Sequence, residues 1–205
     1  MTNQAELIPL AAQGRDVLIW PQAKIIYPEV IFIGNSVIID DFVFFMGGKK
    51  SILGNFIHIG SFTSITGSGE FIMHDFAGLS SGVRIYTGNE DYSGKYLTNP
   101  SVPYPYRIPV RSFVHIEKHA IIGANSVVLP GVTIGEGVAI GANSLVTKDC
   151  KPWTIYAGSP CTEIKPRPKD DILQLEDRLM KEVFDHEGNY IPRDLRRHQD
   201  PQIII

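Results

Sequence analysis

A repeat of six residues dominates the middle of the chain. From Val110 onward, every sixth residue is aliphatic across seven consecutive blocks, and the residue four positions later in each block is small or β-branched. An amphipathic helix repeats about every 3.6 residues and a half-buried strand about every two, so neither explains this pattern. It predicts a coil of short strands and tight turns. The aliphatic series is Val110, Ile116, Ile122, Val128, Ile134, Ile140 and Val146, and the small series is Val114, Ala120, Ser126, Val132, Val138, Ser144 and Cys150.

The same spacing continues upstream, but with slips in its phase. Each slip predicts a bulge or small loop at a corner of the coil, near residues 47–50 and 67–69. Corners need positive φ, which Gly and Asn tolerate, and successive turns stack as parallel strands about 4.8 Å apart. The upstream ladders are Ile33, Ile39 and Phe45, then Leu53, Ile59 and Ile65, then Leu79 and Ile85, after an early pair of Ile19 and Ile25.

This pattern predicts an all-β parallel β-helix. A Gly-rich β-sandwich is the alternative, but its strands recur irregularly at about 8–12 residues. The glycines at 135 and 137 suggest a dinucleotide-binding loop, yet no GxGxxG or helical pattern follows them, so they belong to the repeat. We expect the β-helix domain to span residues 1–168, and a C-terminal helix and tail to span 169–205.

The repeat stops between Ile85 and Val110. Residues 86–109 are rich in tyrosine and proline and carry several charges. A long segment without a pattern inside a compact domain is usually functional, and tyrosines favour packing. We predict a protruding arm over this range that covers a cleft.

Residues 170–186 predict an amphipathic helix. Ile172, Leu175, Leu179 and Val183 fall on one face, and acidic residues occupy the first turn. We expect this helix to cap the open edge of the last coil, which otherwise exposes unpaired backbone groups.

Composition excludes several functional classes. A formal net charge of −3 gives no overall basic field for nucleic acid or an anionic membrane surface. No apolar run reaches the roughly 18 residues of a membrane span, and Met1 to Leu10 lack the pattern of a signal peptide. Two cysteines, Cys150 and Cys161, form no disulfide framework, so a reduced, cytoplasmic setting is expected.

The stretch from Ile116 to Arg167 and the arm sequence EDYSGKYLTNPSVP resemble the hexapeptide-repeat acyltransferases. The resemblance is closest to galactoside and maltose acetyltransferases and to sugar acetyltransferases of bacterial surface-polysaccharide pathways. It covers most of residues 19–167. It implies a left-handed coil, whereas the general crossover rule alone favours the right hand. It further implies a homotrimer with its active sites between neighbouring coils, acetyl-CoA as the acyl donor and a sugar as the acceptor.

The resemblance also places the donor. In that family, acetyl-CoA lies in a groove against Gly-Ala corners and a basic end that meets its phosphates. Small residues let a long cofactor approach the backbone, and basic side chains pair with phosphate. The alternative is that the lysines and arginine are solvated surface charges. The positions that match are Gly123, Ala124, Gly141, Ala142, Thr147, Lys148, the loop 157–160 with Ser159, Lys165 and Arg167.

The chain departs from the family at the arm. Sugar acetyltransferases of this family carry there a histidine that acts as general base, but residues 87–92 contain none. A general base accelerates the reaction by about 10²–10⁴-fold. A sugar hydroxyl needs this acceleration, whereas a neutral amine does not. We therefore expect an amino sugar as acceptor, attacking the thioester through proximity and a backbone N–H aimed at the oxyanion.

O-Acetylation with another base is the competing hypothesis. The candidate bases are Asp91 and Glu90 on the arm, His74 at a wall position, and His115, which should point outward near the end of the arm. Asn89, Tyr92 and Tyr86 are the expected acceptor contacts. Lone histidines are more often structural or on the surface, and His58, His119, His186 and His198 are weaker candidates still.

Two other classes of protein remain as alternatives. A carbonic anhydrase of the β-helical class needs three histidines on zinc, but His115 and His119 are four residues apart on a coil of period six and point differently. No metal site is therefore predicted. A non-catalytic scaffold that presents the arm to a partner is the second alternative.

Overall fold

The computed structural model describes residues 8–196. The first residues of the segment considered as a signal peptide lie outside this range, as do His198 and the three terminal isoleucines. The α-helix is α1 (Asp170–Val183), and short 3-10 helices cover Pro28–Val30 and Arg193–Leu195. In chain order the strands are β1 (Ala12–Gln13), β2 (Leu18–Ile19), β3 (Lys24–Ile26), β4 (Ile31–Ile33), β5 (Val37–Ile39), β6 (Phe44–Met46), β7 (Lys50–Leu53), β8 (Ile57–Ile59), β9 (Ser64–Thr66), β10 (Glu70–Met73), β11 (Gly78–Leu79), β12 (Arg84–Tyr86), β13 (Gly88–Asn89), β14 (Val110–Arg111), β15 (Phe113–Ile116), β16 (Ile121–Ile122), β17 (Val127–Val128), β18 (Val132–Ile134), β19 (Ala139–Ile140), β20 (Leu145–Val146), β21 (Thr154–Ala157) and β22 (Thr162–Pro166).

Three parallel sheets form the walls of a left-handed β-helix, which confirms the predicted fold. Each coil contributes one strand to each wall. Sheet A has the order β1-β4-β7-β10-β15-β18, sheet B the order β2-β5-β8-β11-β16-β19-β21-β22, and sheet C the order β3-β6-β9-β12-β17-β20. The edges where the walls meet are here called the AB, BC and CA corners.

The coils differ in length between the two halves of the solenoid. Ile31 pairs with Ser51, and Ser51 with Phe71, so these coils take twenty residues each. Val114 pairs with Val132, so the later coil takes eighteen. The extra residues lie between β6 and β7 and between β9 and β10, both at the CA corner, which confirms the two predicted slips.

The inward series predicted from the repeat forms the core. All seven small residues are buried, and so are six of the seven aliphatics, from Ile116 to Val146. Burial of each of these aliphatic side chains stabilises the fold by about 1.5–3 kcal/mol. Val110 is the exception, because it pairs with Asn89 at the base of the arm and is 56% exposed. The prediction for Val110 was wrong, since the coil resumes only at β15.

The corners depart from the expectation of Gly and Asn. Asn125 and Asn143 do have positive φ, but so do phenylalanines, including Phe56 and Phe76 with φ of 57° and 62°. A left-handed backbone costs such residues roughly 1–2 kcal/mol each. The rings of Phe56 and Phe76 stack 4.8 Å apart, and such a pair stabilises the fold by about 0.5–1.5 kcal/mol, which offsets part of the backbone cost.

Helix α1 lies along the AB corner and does not cap the last coil, contrary to the prediction. Glu176 contacts Lys118 and His119 there, and β22 pairs antiparallel with β21 to cover the open edge of sheet B. The helix ends at Val183, three residues earlier than predicted. Among the described residues, no helix has the length and apolarity to cross a membrane.

The face of α1 that meets the solenoid keeps three of the four predicted residues, since Ile172 and Leu179 are half-buried and Val183 is buried. Leu175 is 62% exposed, whereas Val183 is buried. Glu176 takes the contact position instead, because its carboxylate pairs with basic side chains of the AB corner. An apolar stripe alone could not reveal this, since the decisive contact is ionic.

Candidate active site

A column of small residues, here called the groove, runs along the BC edge of sheet B. Hydrogen bonds from the backbone N–H groups of Gly60, Ser80, Gly123 and Gly141 each join one coil to the next, and Ala157 continues the column. Four strand spacings give this floor a length of roughly 19 Å. The glycines also serve packing, because a Cβ on Gly123 would lie 2.5 Å from the backbone nitrogen of Ala142.

The upper groove presents free backbone donors. The N–H groups of Ala124 and Ala142, at the BC corner, donate to no other group among residues 8–196. Ser159 lies in the next turn of the same corner, where the Gly158 N–H donates to Ser144 Oγ at 3.1 Å. The structure thus brings together most of the residues predicted to hold the donor, namely Gly123, Ala124, Gly141, Ala142 and Ser159.

The remaining predicted donor residues lie elsewhere. Thr147 and Lys148 are exposed at the CA corner, one wall away from the groove. Lys165 is on β22, opposite Ile155 at the upper end of sheet B. Arg167 donates to the carbonyl oxygens of His119 and Gly137 at 3.0 and 2.9 Å, and its burial lowers its pKa. Arg167 therefore stabilises the AB corner, and a single copy of the chain does not assemble the whole predicted set.

The arm stands on a two-stranded ribbon, in which β13 and β14 pair antiparallel. Glu90 follows β13 and accepts two hydrogen bonds from Arg107 Nε, at 3.0 and 2.8 Å, plus a third from the same guanidinium. These hydrogen bonds from Arg107 lower the pKa of Glu90. The pair ties the two sides of the arm together and leaves Glu90 a weak base.

Asp91 organises the turn that follows. Its carboxylate accepts hydrogen bonds from the Ser93 hydroxyl at 2.6 Å and from the backbone N–H groups of Ser93, Lys95 and Tyr96 at 2.8–3.0 Å. The Ser93 hydroxyl, followed by the backbone donors, holds the pKa of Asp91 well below its usual range. Asp91 is therefore an ionised, weakly basic carboxylate on an exposed turn, suited to attract a cation.

Within residues 8–196 the arm leaves its tyrosines exposed to solvent. Tyr92 is 88% exposed, and Tyr104 and Tyr106 are also largely exposed. Asn89 is exposed in the ribbon, and Tyr86 is an outward residue of β12, so the arm begins after it. The predicted cover over a cleft is not formed within one copy.

The two predicted histidines lie on different parts of the solenoid. His74 is in the AB turn, with its Nε2 3.7 Å from Glu117, so its expected wall position was wrong. His115 points outward from sheet A, as expected, and its Nε2 lies 2.9 Å from Glu70. His115 and His119 face different directions, and residues 8–196 contain no cluster of three or more groups able to hold a metal ion.

Sequence reasoning missed two features. A cavity of about 750 Å³ opens at the CA corner below the ribbon, with Lys49, Glu70, Arg111 and Phe113 among its lining residues. The phase slips marked its position but not its volume. The other feature is His58, whose Nε2 lies 3.0 Å from the carboxylate of Asp40 on the sheet that carries the groove.

Comparisons with known proteins agree with this geometry. Residues 113–148 match the family model described as bacterial transferase hexapeptide (six repeats). The dTDP-4-amino-4,6-dideoxy-D-glucose acyltransferase of Escherichia coli is 44% identical over 164 residues, which are 80% of this chain and 85% of that protein. A probable macrolide acetyltransferase of Lysinibacillus sphaericus is 31% identical over 65% of this chain and 76% of its own length.

A solved structure shows the same likeness in three dimensions. AntD, an N-acyltransferase from Bacillus cereus in complex with dTDP and coenzyme A, superimposes with a TM-score of 0.82 at 40% identity. The match covers 88% of this chain and 96% of that chain. The chain is therefore an acyltransferase that belongs to the hexapeptide-repeat family.

Proposed function

We propose that the protein transfers an acyl group from acyl-CoA to the amine of a nucleotide-linked amino sugar, of the dTDP-4-amino-4,6-dideoxyhexose class. The observation that carries this proposal is the 44% identity to a relative named for that acceptor, over 85% of the relative's length. AntD, 40% identical, has been solved with dTDP-4-amino-4,6-dideoxyglucose and coenzyme A. The free thiols of Cys150 and Cys161 support a cytoplasmic location.

The donor occupies the groove of sheet B in this proposal. The free N–H groups of Ala124 and Ala142 donate to the amide carbonyls of the pantetheine arm, and Lys165 meets phosphate at the upper end. A floor of roughly 19 Å suits an extended chain of that kind. Acetyl-CoA is the expected donor, and AntD bound to 3-hydroxybutyryl-CoA indicates that related sites accept longer acyl groups.

Ser81 and Asp91 contact the acceptor in this proposal. Structures of AntD include variants of a serine and of an aspartate ten positions further on. Ser81 and Asp91 are the only serine and aspartate with that separation in this chain. Ser81 is exposed at the BC corner beside the groove, and ionised Asp91 attracts the ammonium of the acceptor.

A homotrimer completes each site in this proposal. Ser81 lies at the BC corner, whereas Asp91, Thr147 and Lys148 lie at or beyond the CA corner of the same chain. The exposed tyrosines of the arm have no partner surface within their own copy. A neighbouring copy that places its arm against the groove satisfies both observations.

The chemistry is direct aminolysis of the thioester. The neutral amine attacks the carbonyl carbon, the N–C bond forms, the C–S bond breaks, and CoA leaves as a thiolate that takes up a proton. Alignment of the two substrates supplies much of the rate. An oxyanion forms briefly on the carbonyl oxygen, where a backbone N–H stabilises it.

A matched pair of acceptors tests this function. The purified protein is given acetyl-CoA with dTDP-4-amino-4,6-dideoxyglucose or with the dTDP-sugar that bears a hydroxyl at C4, and products are followed by mass spectrometry. We expect acylation of the amine with at least about a hundredfold preference in kcat/KM, because only the hydroxyl needs strong base catalysis. Preference for the hydroxyl, or binding of CoA without transfer to either sugar, would contradict the proposal.

A further inference from the structure

The lower end of the donor groove carries a histidine on the same wall. His58 of β8 stacks between Ile38 of β5 and Gly78 of β11, all pointing outward from sheet B. A Cβ on Gly78 would meet no atom within 4 Å, so open space lies above the sheet beside the imidazole. This space is wide enough for a substrate to approach the imidazole from outside the sheet.

A carboxylate orients this histidine. His58 Nε2 lies 3.0 Å from Asp40 Oδ2, and the Ser61 hydroxyl approaches the same oxygen at 3.5 Å. An N–H that donates to Asp40 leaves Nδ1 as the free acceptor of the neutral ring. The neighbouring carboxylate of Asp41 is engaged by the Gln22 N–H, and Ile38 and Gly78 carry no charge, so Asp40 is the charged partner of His58.

The position of His58 relative to the groove decides which part of a bound donor it can contact. His58 faces outward from β8, two residues before Gly60, at which the small-residue floor begins. A donor with its phosphates near Lys165 has roughly 19 Å of floor before it reaches this level. A donor placed in this way would bring its acyl end to the level of Ser80, Ser81 and His58.

No other described histidine shares this wall. His74 and His119 lie at the AB corner, His115 points outward from sheet A, and His186 lies beyond α1. We infer that His58, oriented by Asp40, is a catalytic residue that accepts the proton lost by the acceptor ammonium. This inference rests on the proposed function, and it supplies the base that the arm lacks.

The proton balance is complete without a further reagent. The ammonium gives one proton to His58 Nδ1, and the neutral amine attacks the thioester. The resulting adduct loses a second proton as the C–S bond breaks, and the departing thiolate takes that proton up as free CoA thiol. The imidazolium of His58 then releases its proton to solvent, so one proton is liberated per amide formed.

The simpler account treats the His58–Asp40 contact as a surface ion pair, of the kind that contributes about 0–1 kcal/mol to stability. The two accounts differ in kinetics. If His58 and Asp40 form only a surface ion pair, its removal changes the free energy of unfolding slightly and leaves kcat unchanged. As a base, its loss changes the pH dependence of kcat/KM while leaving the affinity for CoA intact.

The test compares His58→Ala with His186→Ala, an exposed histidine beside the carboxylate of Glu187 and beyond the end of α1. With dTDP-4-amino-4,6-dideoxyglucose, we expect His58→Ala to lower kcat/KM roughly ten- to a hundredfold near neutral pH. The loss should shrink at alkaline pH, where the free amine is abundant. Added imidazole should restore part of the rate, because the vacated site adjoins the open space at Gly78, and Asp40→Asn should show a smaller loss of the same kind.

Two outcomes separate the claims. If the wild type acylates the amine and His58→Ala matches it within twofold with an unchanged pH profile, the role of His58 is overturned and the proposed function stands. If the wild type acylates no amino sugar, both are overturned. Selective loss with imidazole rescue, and full activity in His186→Ala, supports the inference.

Discussion

The AB and BC corners have the same backbone geometry but opposite surroundings. In the lower coils of the AB corner the chain satisfies its own backbone donors, since Asn55 Oδ1 accepts the Asn35 N–H at 2.8 Å and Asp75 Oδ1 accepts the Asn55 N–H at 2.7 Å. An aromatic column and helix α1 then cover the corner. At the upper BC corner, the N–H groups of Ala124 and Ala142 have no acceptor between residues 8 and 196, and neither do those of Lys118 and Glu136 at the AB corner, so the two corners differ in what covers them.

This difference shows how a uniform solenoid acquires a site. The repeat fixes the position of every corner, and the side chains decide whether a corner is closed from within or left for a ligand. Stacked rings and a docked helix cover the AB corner. Glycine and alanine leave the BC corner without bulky side chains and open to solvent, so we place the acyl donor there.

A bulky side chain at the BC corner should have the largest effect on acyl-CoA binding. Ala142→Trp puts a bulky ring on the groove, and we expect acyl-CoA affinity to fall at least about tenfold in calorimetric titration, or about 1.4 kcal/mol. Glu136→Trp is the matched control, because Glu136 holds the equivalent turn position in the same coil at the AB corner. Equal losses in both variants would break the comparison.

Removing the contacts of Glu176 at the AB corner should lower the stability of the fold and leave CoA binding unchanged. Glu176 is mostly buried, with His119 Nε2 at 2.7 Å and Lys118 also in contact. We expect Glu176→Gln to lower the free energy of unfolding by about 1–3 kcal/mol in a urea titration, with CoA affinity unchanged. Asp177→Asn, at an exposed pair with Lys181, should change it by less than about 0.5 kcal/mol.

The same variant gives a pH dependence with a definite sign. Burial raises the pKa of Glu176, but the hydrogen bonds from Lys118 and His119 outweigh it and leave the pKa lowered. Such a carboxylate stabilises the fold above its unfolded pKa of about 4.3, and this contribution is lost as pH falls through the folded value. The stability gap between wild type and Glu176→Gln should narrow in acid, and a gap that widens would contradict the assignment.

The sequence predicted the solenoid and its core because one inward side chain per block is a periodic requirement. It also predicted the Gly-Ala corners, since small residues recur there with the same period. It could not predict where α1 docks, because an apolar stripe shows that a face is covered but not by what. The contact through Glu176 joins residues that are 57 and 58 positions apart.

The arm shows the same limit at the level of chemistry. Asp91 and Glu90 have the residue type of a general base, and sequence alone cannot count the donors that surround them. Asp91 receives its hydrogen bonds from three nearby residues, Ser93, Lys95 and Tyr96, and Glu90 from distant Arg107. The contact of His58 with Asp40 is hidden from the sequence for the same reason, since Asp40 comes from the preceding coil.

Hydrogen exchange with and without acetyl-CoA tests the central claim most directly, because the amides of Ala124 and Ala142 are free to exchange in the unliganded chain. We predict that saturating acetyl-CoA slows exchange in peptides spanning residues 121–125 and 139–143, and leaves the AB turns around 117–119 and 135–137 unchanged. Protection confined to the AB corner, or no protection at saturation, would contradict the account of the BC corner as the donor site.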